Sequence, residues 1–184
     1  MLESRVLLVR PMFASTADRS SGRVADIWDA LTGNLLGSAQ RRASEDWWRG
    51  WLRPPALTVH EADDEPLLFI LQRRWYFSGF WNVLDADEQP VGWLRPSLHD
   101  SPLSGRLAWR GGLSILDRDG RCLGTLQMQT GVAEEGSLLD PQGAKLATFR
   151  ARAGETELAF HLAADSEPFL RMLLLAVVLQ PLAA

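Results

Sequence analysis

The residues best suited to surface chemistry lie in one short segment, Ser44 to Pro55, with the sequence SEDWWRGWLRPP. It interleaves three tryptophans with two arginines: Trp47, Trp48, Arg49, Trp51 and Arg53. Tryptophan beside arginine is typical of segments that lie at the headgroup level of a membrane. Helical spacing also puts Trp47 and Trp51 on one face, which suits packing over the open end of a barrel. Two interpretations therefore stay open, a structural plug or a binding surface for a membrane or a protein partner.

Two arginine pairs, Arg41–Arg42 and Arg73–Arg74, end predicted strands in neighbouring hairpins. If both pairs converge at one rim, they offer a site for phosphate or for an acidic partner. Solvent-facing charges at strand ends are the plainer interpretation. The paired carboxylates of the chain, such as Asp117 and Asp119, lack the spacing of a complete calcium loop, so no metal is expected.

No residue set predicts catalysis or a cofactor. The three histidines, His60, His99 and His161, are far apart and fit no recognised metal or catalytic spacing, and no glycine-rich phosphate loop opens a helix. Cys122 shares the apolar face of its predicted strand, so we expect an inert core thiol. A non-enzymatic protein that binds no cofactor is the prediction.

The most apolar stretch is the last one, Phe169 to Leu179, with the sequence FLRMLLLAVVL. A helix that is apolar on all sides must be buried on all sides, and this one, at roughly 17 Å, is too short for the roughly 30 Å hydrocarbon layer. We predict a core helix over about residues 166–179, capped by Asp165 or Ser166, with Arg171 near the mouth of its enclosure and beside Asp165 or Glu167. The residues predicted to form its core face are Phe169, Met172, Leu173, Leu175, Ala176 and Leu179.

The rest of the chain repeats one pattern five times: an apolar run, an acid, a short polar turn and a second apolar run with a small residue near its start. The acids are Asp29, Glu61, Asp85, Asp117 and Asp140, and the small residues are Gly37, Gly92, Gly124 and Ala147. Each acid is expected to bond to backbone N–H groups of its turn, and each glycine to mark a bulge or a close backbone approach. Small groups on an inner wall also leave room for a helix.

Five hairpins, a first strand at Arg5 to Arg10 and a last one at Thr156 to Leu162 give twelve strands. Closing them removes exposed edges. The prediction is a mainly β chain with one domain over residues 1–184, a closed antiparallel barrel of about twelve strands over about 4–163, enclosing the C-terminal helix.

Composition narrows the class of protein. The 19 basic residues are scattered among 23 acids with a net charge of −4, so a nucleic-acid binder is not expected. No signal peptide precedes Arg5, and Cys122 is the single cysteine of the sequence, so we expect a cytoplasmic protein, with peripheral attachment to a membrane left open.

Two of the repeats, Val83 to Gly92 and Ile115 to Gly124, have the form apolar-x-D-x-x-G-x-x-x-G or a close variant and precede a terminal hydrophobic helix. This order, with the segment Leu67 to Asp85 (LLFILQRRWYFSGFWNVLD), resembles the tubby C-terminal-like superfamily, and within it the phospholipid scramblase and LURP-one-related branch. The resemblance implies a twelve-stranded barrel around a central helix. The chain lacks the proline-rich extension and the cysteine cluster of a membrane-resident scramblase, and no motif places the basic residues with which tubby proteins bind phosphoinositides.

The resemblance implies a non-catalytic module whose outer surface binds anionic phospholipid headgroups or a protein partner. The alternative is a lipid-translocating factor that inserts its C-terminal helix into a membrane. The partner and the oligomeric state stay open.

Overall fold

The computed structural model describes residues 1–12, 22–42, 56–62, 66–74, 79–96, 112–129, 134–152, 154–161 and 167–183. Twelve antiparallel strands close into a barrel, each paired with its sequence neighbours, and β1 pairs with β12. The strands are β1 Val6–Pro11, β2 Arg23–Asp29, β3 Leu35–Arg41, β4 Ala56–Glu61, β5 Leu67–Arg73, β6 Trp81–Asp85, β7 Pro90–Pro96, β8 Leu113–Asp117, β9 Cys122–Gln129, β10 Glu134–Leu139, β11 Lys145–Arg152 and β12 Glu155–Phe160. Helix α1, Pro168–Leu179, follows, and a short 3-10 helix, Gln180–Ala183, ends the described chain. The predicted fold class is confirmed.

Four of the five repeated acids accept hydrogen bonds from backbone N–H groups of their own turns, as predicted. Asp117 Oδ1 accepts the backbone N–H groups of Asp119 at 2.9 Å and Arg121 at 2.8 Å. Asp85 and Asp140 make the same pair of bonds two and four residues ahead, and Asp29 bonds to Leu31 and Thr32. The fifth acid, Glu61, accepts from the N-terminal nitrogen of Met1 at 3.2 Å, and residues 63–65 of its turn lie outside the described part of the chain.

At Asp29 the hydrogen bonds favour the ionised carboxylate. The pKa of Asp29 is held below its ordinary value chiefly by the N–H of Leu31, and next by the Ser4 hydroxyl, which donates to Oδ2 at 2.9 Å.

The tight turns also need a residue in the left-handed conformation three positions after the acid. Gly120 (φ +81°) and Gly143 (φ +87°) supply it after Asp117 and Asp140, whereas Glu88 (φ +59°) fills the position after Asp85.

In four repeats the small residue directly follows a β-bulge, and in the β4–β5 hairpin Phe69 takes that place. The register shifts by one residue at the start of the second strand in all five hairpins, at Leu36, Leu68, Val91, Leu123 and Leu146. At Gly92 a Cβ atom would meet the carbonyl oxygen of Leu116 and would lie 3.0 Å from Leu173 Cδ2 of α1. The prediction that a small inner-wall residue leaves room for the helix is confirmed at this position.

The bulge corrects the prediction for Cys122. Regular alternation places Cys122 on the same face as Leu126 and Met128. Because the extra residue at Leu123 reverses the alternation, Gly124 and Leu126 face inward and Cys122 is exposed. Its thiol is therefore a surface group and not a core thiol.

The C-terminal helix is enclosed, as its composition predicts. Every residue from 170 to 179 is buried, including Met172, Leu173, Leu175, Ala176 and Leu179 of the predicted core face. Phe169 is the exception, since its side chain is 59% exposed at the start of the helix, and its placement in the core is wrong. Phe169 is the second residue of the helix and lies at the end of the barrel, so its side chain still reaches solvent. No helix among the described residues is long and apolar enough to cross a membrane.

Arg171 lies at the mouth of the barrel, as predicted, and its side chain is only 4% exposed. Its Nη1 donates to the carbonyl oxygens of Leu2 and, at 3.2 Å, Ser4, and its guanidinium lies 4.8 Å from the centroid of the Phe160 ring. Backbone oxygens and an aromatic face therefore solvate this buried charge. Of the two acids predicted as its partners, Asp165 lies outside the described residues.

Candidate binding site on the outer wall

The predicted site residues divide into two groups. Trp47, Trp48, Arg49, Trp51 and Arg53 belong to residues 43–55, which join β3 to β4 and lie outside the described residues. The arginine pairs at 41–42 and 73–74 are described, and the site is built from them.

Strand direction brings the two arginine pairs to the same end of the barrel. Because neighbouring strands are antiparallel, β3, β5 and β7 run in one direction. Five arginines lie at these three strand ends, and we call them the arginine arc: Arg41, Arg42, Arg73, Arg74 and Arg95. The described residues at this end of β3 to β8 include no acid in their sequence, at 41–42, 56–58, 71–74, 79–82, 93–96 and 112–114.

Four arginines of the arc, Arg41, Arg42, Arg74 and Arg95, are exposed, and Arg73 is half-buried. Arg41 Nη2 donates to the carbonyl oxygen of Leu182 at 3.5 Å. Arg42 forms an ion pair with Glu88 at 3.2 Å, with both side chains exposed, so the pair contributes only about 0–1 kcal/mol and yields readily to a competing anion. The charges of these four exposed arginines can therefore act on a ligand at the surface.

A groove of about 280 Å³ opens on the outer wall beside the arc. Two arginines, two aromatic side chains and one amide are among the residues that line it: Arg74, Phe80, Asn82, Trp93, Arg95, Leu116 and Gly120. Strand pairing sets the central row, because Asn82 of β6 lies opposite Trp93 of β7, and Trp93 lies opposite Leu116 of β8. Their inward-facing neighbours Trp81, Leu94 and Ile115 are buried in the core, so this row faces outward.

The aromatic walls of the groove are held by their neighbours. The guanidinium of Arg95 lies 5.8 Å from the centroid of the Phe80 ring, within the range of a cation–π contact. Gly120 has a φ of +81°, and a Cβ atom there would lie 3.6 Å from Trp93 Cζ3. A side chain at this position would therefore contact the indole, and glycine is the unstrained residue there.

This arrangement suits an anion with an apolar part. Guanidinium groups offer paired N–H donors to phosphate or carboxylate oxygens, and the Asn82 amide adds a further donor or acceptor. The faces of Phe80, Trp93 and Leu116 can pack against carbon atoms. None of the residues that line the groove is a histidine, cysteine or acid, and the described residues contain no group of three or more such side chains that could hold a metal.

Sequence reasoning named Arg74 but missed the other residues of the groove. Trp93 and Arg95 belong to β7, and Phe80 directly precedes β6. The inward faces of these two strands were easily recognised from their apolar residues, and the outward residues between those apolar positions were the available sign of a surface site. Asn82, Trp93 and Leu116 alternate with the apolar core positions of three consecutive strands. Their convergence depends on the registers of β6, β7 and β8, which a single sequence does not state.

Comparison with known proteins supports the fold alone. No protein-family profile matches the chain, and no curated protein matches it. A crystal structure of a protein from Arabidopsis thaliana is similar, with a TM-score of 0.53 and 9% sequence identity over 97% of this chain and 94% of the plant protein. A twelve-stranded barrel with a C-terminal helix is also the architecture that the tubby resemblance implies.

Proposed function

We propose that the chain is a non-catalytic binding module of the tubby type, in the scramblase and LURP-one-related branch, whose outer surface binds anionic phospholipid headgroups. The groove receives the headgroup, and the arginine arc provides the surrounding positive potential. One observation carries the proposal: Arg74 and Arg95 line a groove with aromatic walls, at a place where no described residue of the lining is acidic.

The distribution of charge supports binding by one end of the barrel. The whole chain has a net charge of −4, yet five arginines gather at the ends of β3, β5 and β7. Arginine–carboxylate ion pairs form outside the arc, at Arg10–Glu155, Arg23–Asp26 and Arg150–Glu135, and also within it, at Arg42–Glu88. A basic side chain near an anionic membrane contributes about 1 kcal/mol, so the arc can contribute on the order of 3–5 kcal/mol. An anionic surface would therefore orient the barrel with the arc toward it.

The burial of α1 supports binding at the outer surface of the barrel. Insertion of α1 into a lipid bilayer would require withdrawing the buried residues 170–179 from the lumen and exposing the inward faces of the strands. That cost is of the order of the hydrophobic free energy of the core itself, so the helix is retained as the core and headgroup binding is assigned to the outer surface.

Co-sedimentation with lipid vesicles tests the proposal. Protein is mixed with phosphatidylcholine vesicles with and without phosphatidylserine, and the bound fraction is measured in the pellet. The double variant Arg74→Gln/Arg95→Gln removes two charges from the groove. Its matched control, Arg118→Gln/Arg152→Gln, removes two charges from exposed arginines that do not line the groove.

We expect wild type and control to pellet with anionic vesicles and the groove variant to remain in the supernatant, with unchanged circular dichroism in all three. Equal pelleting with and without phosphatidylserine would exclude the proposal. Equal losses in both variants would show that total charge, and not the groove, determines binding. Binding to another protein through the same groove, with no binding to vesicles, would replace the lipid by a protein partner.

A further inference from the structure

One ion pair links the arginine arc to a turn that is distant in the sequence. Arg42 Nη2 donates to Glu88 Oε1 at 3.2 Å, and the two residues are 46 positions apart. Arg42 follows β3, whereas Glu88 lies in the turn between β6 and β7. Because β4 and β5 lie between β3 and β6 in the barrel, the pair spans two intervening strands.

The pairing registers explain how these two side chains meet. Arg41 lies opposite Leu57, Leu57 lies opposite Leu71, and Leu71 lies opposite Val83. Arg41 is therefore level with Val83, two residues before the end of β6. The stagger of strands in a closed barrel thus brings the end of β3 near the turn that holds Glu88.

Glu88 has an unfavourable backbone conformation. Its φ is +59°, and it is the one non-glycine residue with a positive φ in the described ranges of the chain. Gly120 and Gly143 occupy the equivalent place, three residues after the acid, in two other turns. A glutamate in this conformation is strained, and such strain is found most often where a residue has a functional role. Position 88 therefore carries a carboxylate where the turn itself favours glycine.

The Glu88 carboxylate takes the place that an anionic ligand would take on Arg42. Carboxylate and phosphate groups offer a guanidinium the same kind of acceptor oxygen. The side chains are 45% exposed for Arg42 and 60% exposed for Glu88, so the pair is weak and a second anion can reach it. A headgroup that binds to Arg42 must first displace this carboxylate.

From this geometry we infer that Glu88 is an intramolecular competitor of anionic ligands at the arginine arc: it occupies Arg42 in the free protein, and an anionic headgroup displaces it. The inference rests on the proposed function, because the ligand binds to the same arc. Removal of the carboxylate should strengthen binding by more than the loss of one negative charge explains. Because the pair is exposed, we expect this additional gain to be about two- to fivefold in the dissociation constant.

Co-sedimentation with phosphatidylcholine vesicles that contain phosphatidylserine tests the inference. Glu88→Gln removes the competing carboxylate. Asp87→Asn is the matched control, because Asp87 is the exposed neighbour in the same turn and its carboxylate forms no ion pair with the described residues. We expect Glu88→Gln to bind about two- to fivefold more tightly than Asp87→Asn, with unchanged circular dichroism in both.

The Arg42→Gln background separates competition from a general effect of charge. With Arg42 absent, Glu88→Gln and Asp87→Asn should change binding equally, because the arginine through which Glu88 acts is gone. Glu88→Gly should bind as tightly as Glu88→Gln, since both remove the carboxylate and glycine also suits the left-handed conformation.

The failures of the two proposals are distinguishable. Equal binding by Glu88→Gln and Asp87→Asn overturns the inference and leaves the proposed function standing. An excess gain for Glu88→Gln that persists in the Arg42→Gln background also overturns it, because the carboxylate would then act elsewhere. Detectable binding by Glu88→Gln alone, with none by wild type or Asp87→Asn, supports the inference. No binding of any of these proteins to the anionic vesicles overturns both proposals.

Discussion

Packing between the inner wall and the helix can be measured at Gly92 and Leu173. The substitution Gly92→Ala places a methyl group against the carbonyl oxygen of Leu116 and 3.0 Å from Leu173 Cδ2. Leu173→Ala removes that neighbour. Because the two sites share one volume inside the barrel, we expect their effects on the free energy of unfolding to be strongly non-additive.

The magnitudes follow from packing. An overpacked methyl group costs about 1–3 kcal/mol, and truncation of a buried leucine costs about 2–5 kcal/mol, part of which comes from the cavity. In the double variant the new methyl group occupies part of that cavity, although its contact with the Leu116 carbonyl persists. We therefore expect the double variant to be about 1–2 kcal/mol more stable than the sum of the single losses.

Urea denaturation monitored by tryptophan fluorescence measures the four free energies of unfolding. Gly124 supplies the matched control, because a Cβ atom there also meets a strand carbonyl oxygen, that of Leu139, but its side-chain neighbour is Leu146 of β11 and not the helix. Gly124→Ala and Leu173→Ala should therefore add within about 0.5 kcal/mol. If the double variants leave too little stability, Leu173→Val repeats the cycle with a smaller cavity.

Additivity of Gly92→Ala and Leu173→Ala, within the error of the Gly124 cycle, would refute this packing. It would mean that the helix does not contact the inner wall at the second strand of the third hairpin. Equal coupling in both cycles would instead indicate a general loosening of the barrel.

Three further predictions concern single residues. Arg171→Met should lower the free energy of unfolding by about 1–3 kcal/mol, because the partly buried carbonyl oxygens of Leu2 and Ser4 lose a charged donor; an unchanged urea midpoint would contradict this. Glu88→Gly should stabilise the protein by about 0.5–1 kcal/mol relative to Glu88→Gln, since both remove the exposed ion pair and glycine alone relieves the left-handed backbone; thermal unfolding of the two variants measures it. Asp29 has a lowered pKa in the folded state, so its stabilisation is present above the unfolded pKa of about 3.9 and is lost as pH falls through the folded value; urea midpoints between pH 2.5 and 6 should fall more steeply for wild type than for Asp29→Asn, and parallel curves would contradict the assignment.

The strands and turns of this barrel were predictable because each is specified locally. An acid at the end of an apolar run accepts N–H groups two to four residues ahead, so Asp85, Asp117 and Asp140 act within their own turns. The C-terminal helix was predictable for a different reason, since ten consecutive buried residues leave no polar face to place in water. Phe169 escaped the pattern because its exposure depends on where the barrel ends.

The groove could be predicted only in part. Arg73–Arg74 was recognised as a candidate anion site, but the residues that surround Arg74 come from three other strands and one turn. The position of a single bulge, which the sequence pattern did not indicate, was enough to make the prediction for Cys122 wrong. The bulge at Leu123 reverses the alternation between Cys122 and Gly124, so the thiol lies at the surface and not in the core. The tryptophan-rich segment at 44–55 remains a prediction, because it lies outside the described residues.

The amino-acid sequence by itself determined the repeated hairpins, their acid-fastened turns and the apolar helix that must be enclosed, because these depend on hydrogen bonds and burial patterns within a few residues. Tertiary structure alone decided which outward side chains meet. Arg74, Trp93 and Arg95 share a groove because bulges and pairing registers accumulate around a closed barrel, and a shift of one residue in any strand would turn its side chains to the other face.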